Sequence, residues 1–182
     1  MPGLADVLRS LPDDGSARLL DLGPLVVANY DVYLHHARRI RFAHVWRDAF
    51  PTPGPGTDPR VDPARAVPHD DRTAPYDVVL AWDVLDCLDP DDAVSMVHRV
   101  ATVCRPRGRL HALFTGAGSR PTRPMRYAIT GAGRVRPLDC ESRTVPAAGL
   151  APAELERRLA PFAVEHSCIL RHGAREIVAV LR

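Results

Sequence analysis

The chain alternates short apolar runs with amphipathic stretches, in an order that predicts a layered α/β domain. Residues 3–11, "GLADVLRSL", place Leu4, Val7, Leu8 and Leu11 at helical spacing, so the N-terminal segment 1–16 carries a short amphipathic helix ended by "PDDGS". "RLLDLG" (18–23) is an apolar run of strand length. The stretch 27–38 predicts a helix with Val27, Tyr30, Leu34 and Ala37 on its buried face. "RIRFAHVW" (39–46) alternates Ile40, Phe42, His44 and Trp46 against Arg39, Arg41, Ala43 and Val45, which is strand periodicity with one polar inward position.

Residues 51–75 contain seven prolines and cannot supply a core strand or a long helix, so they form an irregular connector. "YDVVLAW" restores an apolar strand that ends at Trp82-Asp83. A helix follows with Asp89 as N-cap, Pro90 at its first position, Asp91 and Asp92 at the positive end of its dipole, and Val94, Val97, Val100, Ala101 and Cys104 as its buried stripe. "RLHALF" (109–114) is a further strand. Residues 116–150 form a Gly/Pro/Arg-rich insertion with a hairpin turning at Gly131-Ala132-Gly133. A helix over 151–160 opened by Pro152 precedes a closing hairpin, 162–170 with 176–182. Strand, helix, strand, connector, strand, helix, strand, helix, hairpin is the order of a doubly wound, mostly parallel sheet with an antiparallel end, folded as one domain over 1–182. Ligands of such sheets sit beyond the carboxyl ends of the strands, which points to Asp21–Asn29, Ala43–Arg47 and Trp82–Asp86.

Composition narrows the classes. With 46% apolar and 25% charged residues the chain is ordinarily globular, and no apolar run approaches the ~20 residues of a membrane span, so a cytoplasmic location without membrane contact is expected. All 24 basic residues are arginine, a bacterial-type compositional bias that removes any lysine Schiff base or P-loop lysine. Cys87, Cys104, Cys140 and Cys168 form no CxxC pair, so no metal is expected and the cysteines read as buried thiols. His35 and His36 are helical neighbours pointing about 100° apart and read as solvated. His98 falls on a polar helix face, and His111 reads as a hydrogen-bonded core residue. Arg120, Arg123, Arg126, Arg134, Arg136 and Arg143 outnumber Asp139 and Glu141 in 116–143, a patch suited to an acidic protein partner or an anionic substrate. A net charge of +2 and few stacking aromatics disfavour nucleic acid.

"LLDLG", "YDVVLAWDVLDCLDPDD" and "CRPRGRLHALF", in this order and with a terminal hairpin, resemble the class I S-adenosylmethionine-dependent methyltransferases. The resemblance runs from about residue 17 to 182 and implies a methyltransferase-like Rossmann architecture of the seven-stranded type, with its third strand short or missing at the connector. It implies S-adenosylmethionine as cofactor, held by Asp21, Gly23, Pro24, Val27, His44, Trp82 and Asp83. Asp83 would face the methyl group and is the candidate catalytic acid or base, while Asp86 reads as a surface turn residue. Two departures weaken the site. Leu25 and Val27 stand where the family keeps glycines, although close backbone approach or positive φ favours glycine there. His44 stands where a carboxylate would grip the ribose hydroxyls. At about 2 kcal/mol each, these losses weaken binding about a thousandfold. The sequence therefore carries two readings: a degraded site on a non-catalytic scaffold or regulatory partner, and an active methyltransferase with a small-molecule or peptide substrate under residues 116–150.

Overall fold

A computed structural model describes residues 1–43, 45, 62–68, 74–138 and 143–182. The helices are α1 (Pro2–Arg9), α2 (Val27–Leu34), α3 (Val84–Cys87), α4 (Pro90–Ala101) and α5 (Pro152–Leu159), with a 3-10 turn over Pro63–Ala66. The central strands are β1 (Arg18–Asp21), β2 (Arg39–Phe42), β3 (Tyr76–Trp82) and β4 (Cys104–Phe114). The insertion contributes β5 (Gly118–Pro121), β6 (Tyr127–Gly131), β7 (Arg134–Pro137) and β8 (Thr144–Ala147), and the chain closes with β9 (Phe162–Ile169) and β10 (Arg175–Leu181).

Six strands form one sheet in the order β2-β1-β3-β4-β10-β9. The first three pairings are parallel, and β10 runs antiparallel to both β4 and β9. Among the described residues the sheet ends at β2, and most of the proline-rich connector lies outside them. Every residue of β3 is buried, because this central strand is covered on both sides. Its pleat sends Val78, Leu80 and Trp82 to the face shared with Leu4, Val7, Leu8 and Tyr33 of α1 and α2. Val79 and Ala81 go to the opposite face, against Met96, Val97 and Val100 of α4 and Leu155 and Leu159 of α5. No helix among the described residues is long and apolar enough to cross a membrane.

Four local expectations are corrected. The buried side of α2 is Asn29 and Tyr33, continued by Ala37, while Val27, Tyr30 and Leu34 are exposed. This helix is apolar on more than one side, so its periodicity does not choose a face. The stripe of α4 is Ala93, Met96, Val97 and Val100, with Val94 only half-buried. Strand β2 stops at Phe42, after which both Ala43 and Val45 are buried, ending the expected alternation. The insertion adds a second antiparallel pair, β5 with β8, beside the expected β6–β7 hairpin.

Candidate functional site

The carboxyl ends of β1 and β3 are adjacent because the strands pair in parallel, with Asp21 opposite Leu80. Asp21 is buried and both of its carboxylate oxygens have donors. Oδ1 accepts hydrogen bonds from the Gly23 N–H and the Trp82 Nε1–H, both at 2.9 Å, and Oδ2 accepts one from the Tyr33 hydroxyl at 2.7 Å. Burial pushes its pKa up to about 6 in spite of these donors, and the Tyr33 hydroxyl is pushed well above its usual range by burial and by Asp21.

Trp82 adopts φ 49°, a backbone region that bulky residues seldom enter. Its indole packs against Gly23 through its Cδ1–Nε1 edge: a Cβ there would sit 2.5 Å from Trp82 Cδ1 and 3.2 Å from Nε1. The glycine is thus required by a side chain of the same protein. The indole also stacks on Tyr127 of β6, with ring centroids 5.3 Å apart and planes 13° from parallel. His111 meets it edge-on at 5.8 Å.

The insertion also closes over Asp83. The Met125 N–H donates to both carboxylate oxygens, at 3.2 and 3.0 Å, and the Tyr127 hydroxyl donates to Oδ2 at 3.1 Å. Burial, the dominant cause, raises the Asp83 pKa to about 7, and Tyr127 is raised by burial and by Asp83. From the α2 side, Asn29 Nδ2 donates to the Tyr127 carbonyl at 2.7 Å and Asn29 Oδ1 accepts the Ile129 N–H at 2.8 Å. One amide side chain therefore pairs with β6 as a strand would. A cavity of about 530 Å³ opens beside this cluster, lined in part by Asp83, Leu113, Thr115, Met125, Tyr127 and His172.

No family model matches the sequence, and no curated protein matches it. Solved structures do. Magnesium protoporphyrin IX methyltransferase (ChlM) from Synechocystis PCC 6803, with bound SAM, matches with a TM-score of 0.55 over 98% of this chain and 76% of its own, at 15% identity. An S-adenosylmethionine dependent methyltransferase from Mesorhizobium loti matches with a TM-score of 0.55 over 99% and 98%, at 14% identity. The chain has the class I S-adenosylmethionine-dependent methyltransferase fold. It spans 55% of the length of the pyocyanin biosynthetic protein PhzM, with a TM-score of 0.49 and 14% identity.

Within this methyltransferase fold, Asp21, Gly23, Trp82 and Asp83 lie together at the ends of β1 and β3, and Pro24 is half-buried beside them. Val27 does not pack into the interior: its side chain is 77% exposed at the start of α2, and the group that closes the space over Gly23 is Trp82. His44 lies outside the described residues. Asp86 is buried rather than a surface turn residue, and its Oδ2 accepts the Thr115 N–H at 2.9 Å. Asp89 occupies the N-cap position of α4 without a side-chain capping bond. Cys87 and Cys104 are buried, Cys168 is half-buried, none of them is in a disulfide, and Cys140 is outside the described residues. His111 is fully buried with Nε2 3.0 Å from Glu176, as a core histidine should be. Tyr33, Met125 and Tyr127 were not among the expected site residues, and Asn29 closes the first expected stretch without having been given a role there. The signal for Tyr127 is faint: an aromatic alternating with Ile129 in an otherwise polar insertion.

Proposed function

We propose that this protein is a methyltransferase-fold scaffold or regulatory partner whose cofactor cleft is filled by its own side chains. The observation that carries this reading is the Trp82 indole packed against Gly23, with Tyr127 stacked on it. In ChlM the fold holds SAM. A nucleoside-bearing cofactor seated beside Gly23 here has to displace an indole that is hydrogen-bonded to Asp21, stacked and buried. Full burial of an aromatic side chain stabilises a fold by about 1.5–3 kcal/mol, and the stacked pair adds ~0.5–1.5 kcal/mol. Together, about 2–4.5 kcal/mol, they weaken a micromolar site roughly 30- to 2,000-fold. Asp21 and Asp83 already have their donors, so neither carboxylate is left waiting for a ligand. A protein partner of acidic surface, met through the arginine-rich residues 116–143, completes the reading; Arg134 and Arg136 on β7 are exposed.

Titration calorimetry with S-adenosylmethionine and S-adenosylhomocysteine is the test. No heat and no thermal shift at millimolar ligand is expected. Micromolar binding overturns the proposal in favour of an active methyltransferase, for which the cavity beside Asp83 is the place of a small-molecule or peptide acceptor.

A further inference from the structure

The closing hairpin brings together three side chains of metal-ligand type, using none of the residues around Gly23. His166 and Cys168 are two apart on β9 and so project from the same face. Glu176 on β10 is the direct cross-strand partner of Cys168, and the next position on that face of β10, Val178, faces His166. Imidazole nitrogen, thiol sulfur and carboxylate oxygen all lie within 4.8 Å of one another. Each has a feature that suits a cation. His166 Nε2 is buried and without a hydrogen-bond partner. Cys168 Sγ is 3.5 Å from Glu176 Oε2. Zinc bonded at about 2.3 Å to sulfur and about 2.1 Å to oxygen in a tetrahedron places those two atoms about 3.6 Å apart.

The carboxylate is held in place from behind. Glu176 Oε2 accepts the Gly3 N–H at 3.1 Å, and Oε1 accepts the Leu4 N–H at 2.9 Å and contacts His111 Nε2 at 3.0 Å. Gly3 permits this approach, since a Cβ there would lie 2.9 Å from Val178 Cγ2 and 3.1 Å from the Glu176 carboxyl carbon. Such outer contacts are what orient a ligating carboxylate. We propose that His166 Nε2, Cys168 Sγ and Glu176 form a three-ligand site for Zn²⁺, with a fourth position open to water. In the metal-free protein the Cys168 thiol donates its hydrogen to Glu176. On binding, the S–H proton leaves to solvent, a sulfur–zinc bond takes its place, and thiolate plus carboxylate balance the two positive charges. The mixed sulfur, nitrogen and oxygen donor set favours zinc over magnesium or calcium. The ion would tie the edge strand β9 to the β10 carboxylate that receives the start of α1.

The test is titration of the reduced, chelator-stripped full chain with Co²⁺, followed by displacement with Zn²⁺. One Co²⁺ per chain is expected, with a thiolate-to-cobalt charge-transfer band in the near ultraviolet that one equivalent of Zn²⁺ abolishes. Cys168→Ser should lose the band, His166→Gln should weaken Zn²⁺ binding about tenfold or more, and Cys104→Ser should change neither. Absence of the band in the wild-type chain at millimolar Co²⁺, or its persistence in Cys168→Ser, overturns the proposal. The wild-type titration decides by itself if a variant does not fold.

Discussion

At the scale of single residues, the decisive pair is Gly23 and Trp82. Glycine in this position reads as room for a ligand, yet its missing Cβ makes room for an indole of the same chain. Gly23→Ala should therefore destabilise the fold by about 1–3 kcal/mol through overpacking. Trp82→Ala should cost about 3–5 kcal/mol, for the lost core volume and an Asp21 oxygen left short of a donor. Because the two sites touch, their effects should not add: with Trp82 absent the extra methyl loses its closest clash and keeps only the 3.2 Å approach to Asp21 Oδ1, giving a coupling of roughly 1 kcal/mol or more in denaturant unfolding. Additive effects would mean that the indole does not rest on Gly23. No pattern in the sequence announced this contact, since a tryptophan at a strand end is equally a core or a pocket residue.

At the scale of elements, the insertion is the part that changes the meaning of the site. Its hairpin was legible from Gly131-Ala132-Gly133 between two strand-like runs, but where it docks was not. Asn29 fixes that placement by pairing with both the carbonyl of Tyr127 and the N–H of Ile129. Asn29→Ala should destabilise the protein by about 1–3 kcal/mol by leaving buried backbone groups unpaired. It should also speed hydrogen exchange of the Ile129 amide relative to the central strand β3; unchanged exchange would show that β6 is held by other contacts. Helix α2 carries the same lesson. Its apolar residues gave no unique face, and the polar Asn29 with Tyr33, rather than Val27, Tyr30 and Leu34, turned out to be the buried side.

At the scale of the whole molecule, three buried carboxyls set the dependence of stability on pH. Asp21 and Asp83 have pKa values raised to about 6 and about 7, so each holds a proton more tightly folded than unfolded. The stability they contribute is full below about pH 4 and is lost as pH rises through 6 to 7. Glu176 is the opposite case: although burial alone would raise its pKa, His111 and the N–H groups of Leu4 and Gly3 lower it to about 2, so its contribution is present above about pH 4.5 and lost as pH falls through 2. Urea unfolding should show greatest stability near pH 4–5 and a decline toward pH 8. Asp83→Asn should flatten that decline while leaving the acid limb unchanged; an unaltered decline would assign the upper limb to other groups.

The sequence by itself determined the order of elements, the parallel sheet with its antiparallel end, the kinship of fold with the methyltransferases and the strand ends where a site would lie. These follow from periodicity, caps and turn residues, which act over a few neighbours along the chain. Only the tertiary structure decided what packs around Gly23 and Asp83: Trp82 and Gly23 are 59 positions apart, Asp83 and Tyr127 are 44 apart, and Asn29 and Ile129 are 100 apart. Side-chain packing and hydrogen bonding across such separations depend on how the elements are layered, and local sequence carries no record of it.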